Sequence, residues 1–171
     1  KKGELLYNDD FRTGLKQWIV ESPIATAPKI DALNGRLTIE VTGGATVWFR
    51  KKLSGNYLIE CRRKVIVAGG PYDRLSDLNV FWSATDPRSQ NLFTRTGVLE
   101  EYDSLKLYYV GMGGNSNRTT RFRKYEGNGN RTLLQEYTDA EHLLEANREY
   151  LVQIVAYKGT TEVFLNEQKF F

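Results

Sequence analysis

Leu105-Lys106-Leu107-Tyr108-Tyr109-Val110-Gly111-Met112, the loop Gly113-Gly114-Asn115-Ser116-Asn117, and Thr119-Thr120-Arg121-Phe122-Arg123-Lys124-Tyr125 form the stretch that decides the fold. Two runs rich in aromatic and β-branched residues flank a cluster of Gly, Asn and Ser, which is the composition of a β-hairpin. Successive side chains on a strand point to opposite faces, so Arg121 and Arg123 share one face.

Upstream, Asp77-Leu78-Asn79-Val80-Phe81-Trp82-Ser83-Ala84 reads as a further strand, with Leu78, Val80 and Trp82 on one face and Asn79 and Phe81 on the other. Ala68-Gly69-Gly70-Pro71 breaks the chain before it and ends a long strand expected over Asn56 to Val67. Leu37, Ile39 and Val41 alternate with polar neighbours, as do Val47 and Phe49. The turn Thr42-Gly43-Gly44 between them predicts that these two segments pair as a hairpin. Downstream, Thr132 to Tyr137 is a short strand, Asp139 to Leu144 one helical turn, and Tyr150 to Tyr157 pairs with Thr161 to Leu165. Period-two runs bounded by turn residues every eight to fifteen positions define an all-β, antiparallel sandwich or barrel. With no repeat and no linker, residues 1–171 are expected to form one domain. An apolar strand at the C-terminal end would leave an unpaired edge, so a closing strand is expected beyond Phe171; the alternative is that Phe170 and Phe171 cap the sandwich.

Composition narrows the function classes. A chain of 171 residues with 40% apolar content suffices for a core without metal or disulfide staples. The single cysteine, Cys61, excludes an intrachain disulfide and paired-Cys zinc sites, and its alternating context puts it on the face of Tyr57 and Ile59 as core. A net charge of +3, without a concentrated basic stripe, gives no ground for a nucleic-acid partner. No apolar run approaches the ~20 residues of a membrane helix, so membrane insertion is not expected.

The segments Asp77 to Arg88, Tyr108 to Asn115 and Thr120 to Arg123 resemble a bacterial family of unknown function with the concanavalin A-like lectin/glucanase fold, domain-of-unknown-function group 6250. The opening Asp9-Asp10-Phe11 with Gly14-Leu15 and Trp18, then Gly44 to Phe49, and Gly69-Gly70-Pro71 before Asp73-Arg74, are similar to the same family in the same order. The resemblance implies a two-sheet jelly roll, and an extracytoplasmic protein associated with polysaccharide breakdown. It carries no catalytic residues with it. The fold hosts lectins, hydrolases and lyases alike.

In a jelly roll the natural glycan groove is the concave face, where aromatic rings meet sugar C–H faces and planar polar groups meet hydroxyls. Asp77, Asn79, Trp82, Tyr108, Asn115, Arg123 and Tyr125 are the candidate ligand-binding residues, on or beside the strands expected in the middle of the sheet. Three functions compete. A lyase on a uronic acid polymer needs a cation or amide on the carboxylate and a base for the adjacent proton, for which Arg121 and either Tyr109 or His142 are candidates. The strand around Tyr109 is faintly similar to that of alginate-lyase-like jelly rolls, departing from it at Val110 and Gly113, where that family holds Lys and its catalytic Tyr. A retaining hydrolase needs two carboxyl groups about 5 Å apart, for which Glu101 and Asp103 have strand spacing, although Lys106 falls where a third acid is expected. A binding module without chemistry demands only the tyrosines, tryptophans and polar groups. No cofactor is expected; Asp9, Asp10, Asp73 and Asp77 are candidates for a structural calcium, against the alternative that they initiate turns and a strand.

Overall fold

The computed structural model describes residues 2–171, Lys1 lying outside them. In chain order the strands are β1 (Trp18–Glu21), β2 (Lys29–Leu33), β3 (Arg36–Glu40), β4 (Thr46–Phe49), β5 (Tyr57–Arg63), β6 (Leu78–Thr85), β7 (Lys106–Gly113), β8 (Thr119–Glu126), β9 (Arg131–Tyr137), β10 (Tyr150–Tyr157), β11 (Thr160–Leu165) and β12 (Gln168–Lys169). They divide between two compact units. One comprises the chain to Lys52 with Arg88–Tyr102, the other Leu53–Pro87 with Asp103–Phe171.

The larger unit contains two four-stranded antiparallel sheets, ordered β12-β11-β10-β5 and β6-β7-β8-β9. Alternation along each strand sends one set of side chains between the sheets. Val152, Ile154, Val163 and Leu165 from the first sheet meet Leu78, Trp82, Val110, Met112 and Phe122 from the second. Each such side chain taken from water contributes roughly 1.5–3 kcal/mol, before the entropy of ordering it. Phe170 and Phe171 are buried in this core, Phe171 packing on Phe122 with ring centroids 5.4 Å apart. The Cys61 thiol faces the same core beside Ile59, and burial raises its pKa.

β5 and β6 are edge strands of their sheets, and the edge between them is closed by a side chain. Arg63 donates from Nη1 to the backbone carbonyl of Asn79, covering an acceptor that an edge strand would otherwise leave exposed. β6 therefore borders its sheet instead of running through the middle of it.

In the smaller unit β1 pairs with β4, and β2 with β3. The hairpin expected between residues 37–41 and 47–49 does not form. The signal that overrides it is Asn34-Gly35, which joins Leu33 to Arg36 with φ of 54° and 75°, the left-handed pair of a two-residue hairpin turn. The Gly43-Gly44 turn serves another purpose. A Cβ on Gly44 would lie 2.1 Å from the carbonyl oxygen of Gly97, so glycine is required for that backbone approach.

Candidate functional site

Register places the site. On the face of the β6-β7-β8-β9 sheet away from the core, Asn79 pairs with Gly111, Gly111 with Arg121 and Arg121 with Glu136; beside that row, Phe81 pairs with Tyr109, Tyr109 with Arg123 and Arg123 with Leu133. A bulge in β9 opposite Phe122 and Arg123 keeps the second row aligned. Asn79, Tyr109, Arg121 and Arg123 thus share one face, and the Gly113–Asn117 turn adds Asn115. With its amide oxygen toward the guanidinium, Asn115 accepts from Arg121 Nη1 at 3.2 Å and Nη2 at 3.3 Å. That turn holds Gly113, Asn115, Ser116 and Asn117 at positive φ, where Gly and Asn are the favoured residues.

The charges on this face are unequal in their partners. Arg121 is ion-paired with Glu136, Arg131 makes a two-pronged pair with Asp103 at 2.5 and 3.0 Å, and Arg74 pairs with Asp77. Arg123 has no carboxylate partner among the described residues, and its buried Nε donates to nothing. Asn79 Oδ1 is likewise buried and accepts from nothing. An unmet buried polar atom costs about 1–3 kcal/mol, so two on one face single it out as the candidate site. Gly111 makes the space: a Cβ there would come within 2.7 Å of the Tyr109 hydroxyl and 3.0 Å of Asn79 Oδ1.

Tyr109 is held as a phenol. Burial, with the neighbouring Tyr125 and Asp77, raises its pKa far above the ordinary 10.0, against a smaller opposing effect of Arg123 and Arg131. In that neutral form its hydroxyl can donate a hydrogen bond. A tyrosine whose folded pKa is raised contributes stability that is complete below about pH 10 and is lost as the pH climbs through the higher native value. Alkaline titration of wild type and Tyr109→Phe, followed by tyrosinate absorbance, is therefore expected to show one fewer late-ionising tyrosine in the variant, the buried Tyr102 and Tyr125 ionising late in both. Ionisation of Tyr109 in the ordinary range would contradict this account of its environment.

Other residues expected in the site lie elsewhere or are covered. Trp82 and Tyr108 occupy the opposite face, toward the core; Trp82 is 4% exposed, and its indole N–H donates to Thr161 Oγ1 at 3.0 Å. Tyr125 has the right face but is 2% exposed beneath Arg131, whose guanidinium sits 5.3 Å from its ring centre, so it buttresses Tyr109 instead of forming a platform. His142 is separated from the set altogether. Its ring stacks on Tyr137 at 3.7 Å, packs on Phe170 and bonds Asp139 at 2.6 Å, whose pKa is lowered by that hydrogen bond. Tyr137 pairs with Thr120 on the core-facing side of β8 and β9, so His142 serves packing there and is not the base for Tyr109's face.

The acid pair is not assembled either, because Leu99–Ser104 is a 3-10 helix and not a strand. Glu101 accepts from Thr96 N and Oγ1, and Asp103 is committed to Arg131. The calcium candidates are each engaged locally. Asp9 accepts from Phe11 N and Trp18 Nε1, Asp10 from Arg12 N, Asp73 from Ala68 N and Gly70 N, and Asp77 holds Arg74. These are turn-forming and ion-pairing roles, and among the described residues no three His, Cys, Asp or Glu groups gather to hold a metal ion. Three participants escaped the sequence reading: Gly111, Arg63 at the edge and Arg131 over Tyr125. Only the lone glycine inside a strand pattern was a signal, since it marks close approach of another group.

A two-sheet antiparallel sandwich with a polar, aromatic face on one sheet is the galectin-like, concanavalin A-like class of protein. A Bacillus subtilis protein of unknown function with a galectin-like fold, known from its crystal structure, is similar at a TM-score of 0.76 and 19% identity, over 99% of this chain and 80% of that one. The chain belongs to the DUF6250 family, a domain of unknown function, whose sequence model matches residues 39–171. No curated protein sequence matches it. Among the described residues no helix is long and apolar enough to cross a membrane.

Proposed function

We propose that this domain binds an acidic polysaccharide on the Asn79–Tyr109–Arg123 face and holds it without cleaving it. The observation that carries the reading is that Arg123 Nε and Asn79 Oδ1, on one face of the sheet, are both buried without a partner. A sugar carboxylate supplies the anion that Arg123 lacks, in the planar geometry a guanidinium matches best. The Tyr109 phenol can donate a second hydrogen bond to the same group, and Asn79 Oδ1 can accept from a sugar hydroxyl. The galectin-like fold of the Bacillus subtilis neighbour supports a glycan as the ligand class, and with an acidic polysaccharide as ligand the proposed location is extracytoplasmic.

Elimination is the second reading, since the same groups would neutralise a uronate. It is weaker because it needs Tyr109 as a base, whereas burial keeps that phenol protonated. Hydrolysis has less support, since Glu101 is bonded to Thr96 and Asp103 is held by Arg131.

The test is incubation of the purified protein with pectate, alginate, hyaluronate, xylan and laminarin. Retention of the uronate polymers and not the neutral ones, with no unsaturated product and no new reducing ends, is the expected result. Rising absorbance from an unsaturated product would replace the binding reading with elimination. Equal or absent retention of acidic and neutral polymers would end the Arg123 reading.

A further inference from the structure

We propose a second ligand site, separate from the Arg123 face, that takes one neutral pyranose ring in the cleft formed by Tyr57, Ser83, Tyr108, Tyr157, Thr160 and Thr161. The cleft has a volume of about 230 Å³, and none of its lining residues is charged. Sites for drug-sized ligands run to roughly 300–1,000 Å³, so this one suits a single small ring. The lining alternates two chemistries. Tyrosine rings offer flat apolar surface, while serine, threonine and tyrosine hydroxyls both donate and accept. A pyranose presents the same alternation of C–H face and hydroxyl edge, and the lack of charge in the lining selects a neutral one.

The backbone is shaped to put a hydroxyl there. Ser83 sits at a break in the β6-β7 register between Trp82 and Thr85, with φ of 53°, a left-handed conformation uncommon for serine. Such bulges re-aim side chains, and strain of this kind collects at binding sites. The re-aimed Ser83 Oγ lies 2.7 Å from the Tyr57 hydroxyl. Two further contacts fix the opposite wall: Trp82 Nε1 donates to Thr161 Oγ1 at 3.0 Å, and Thr160 Oγ1 donates to the Tyr157 carbonyl at 2.7 Å. Tyr157 is 50% exposed at the mouth, an apolar ring open to a ligand, with Lys158 Nζ 5.3 Å from its centre.

The experiment is amide NMR of the whole chain titrated separately with galactose, glucose, mannose and N-acetylglucosamine to about 50 mM, concentrations suited to a millimolar ligand. Saturable shifts at Gly55, Ser83, Gly159 and Thr160 with at least one sugar are expected. Tyr157→Ala should weaken that titration about tenfold, Ser83→Ala should also weaken it, and Arg123→Met should leave it unchanged. Because Tyr157 is half exposed, its loss should not prevent folding. The proposal is overturned if no sugar shifts these amides, or if the shifts survive unaltered in both cleft variants. Retention of uronate polymers can fail while this titration succeeds, and the reverse, so the two sites are judged independently.

Discussion

Arg123→Met is expected to weaken binding of a uronate polymer at least about thirtyfold, while the protein folds as stably as the wild type or slightly more so. The two halves of that expectation have one cause. In the unliganded protein the guanidinium is a partly buried cation with an unmet Nε and no carboxylate opposite it. Removing such a group takes away a desolvation cost without orphaning a partner. In the complex the same group meets the ligand's anion, so its removal leaves a sugar carboxylate unpaired. Methionine keeps most of the stem's packing against the sheet. Arg121→Met is the control, because it strands Glu136 and should therefore cost stability as well as whatever it does to binding. Arg123→Lys should recover only part of the affinity, since an ammonium cannot form the two-pronged pair. Retention assays and urea unfolding on the same preparations read both quantities. Unchanged affinity in Arg123→Met would remove this residue from the site.

Glu21→Ala is expected to destabilise the smaller unit by about 2–3 kcal/mol, because it removes the shared acceptor of three neutral donors. Glu21 is only 6% exposed, yet it accepts from Trp48 Nε1 at 2.7 Å, the Tyr102 hydroxyl at 2.7 Å and Arg95 N at 2.8 Å. Three donors from β4, the 3-10 helix and the segment before it converge on one carboxylate at the end of β1. Deleting it removes the acceptor that the three share. Tyr102 shows the same enclosure, its pKa raised first by burial and then by Glu21 and Glu101, with Thr46 opposing. Glu21→Gln should cost less, as the amide oxygen still accepts while the amide nitrogen turns a donor toward donors. Because Trp48 is one of the partners, tryptophan fluorescence during urea unfolding in a Trp82→Phe background, which leaves only Trp18 and Trp48, reports this unit. A loss below about 1 kcal/mol would mean that the cluster is not what ties the segment down.

The β7–β8 hairpin was legible because the apolar and aromatic alternation on both sides of Gly113–Asn117 is a local pattern. So was the β10–β11 pair. The β2–β3 hairpin was missed although Asn34-Gly35 is the strongest short hairpin signal, because the Gly43-Gly44 turn was given the pairing instead. At the site, alternation correctly grouped Arg121 with Arg123, and Leu78 with Trp82. It could not say which group meets the other sheet, and so Trp82 and Tyr108, which lie on the core side, were placed together with the Arg123 face.

By itself, then, the sequence determined the all-β class, most strand positions and which side chains share a face, since these follow from a two-residue repeat and from turn residues acting over a few positions. Only the tertiary structure decided which face is buried, that Arg121 and Arg131 are neutralised while Arg123 is not, that His142 is locked against Tyr137, and that Glu21 gathers donors from residues up to 81 positions away. Those outcomes depend on which strands pack together. Burial and charge pairing are set by neighbours in space, and a local repeat carries no record of them.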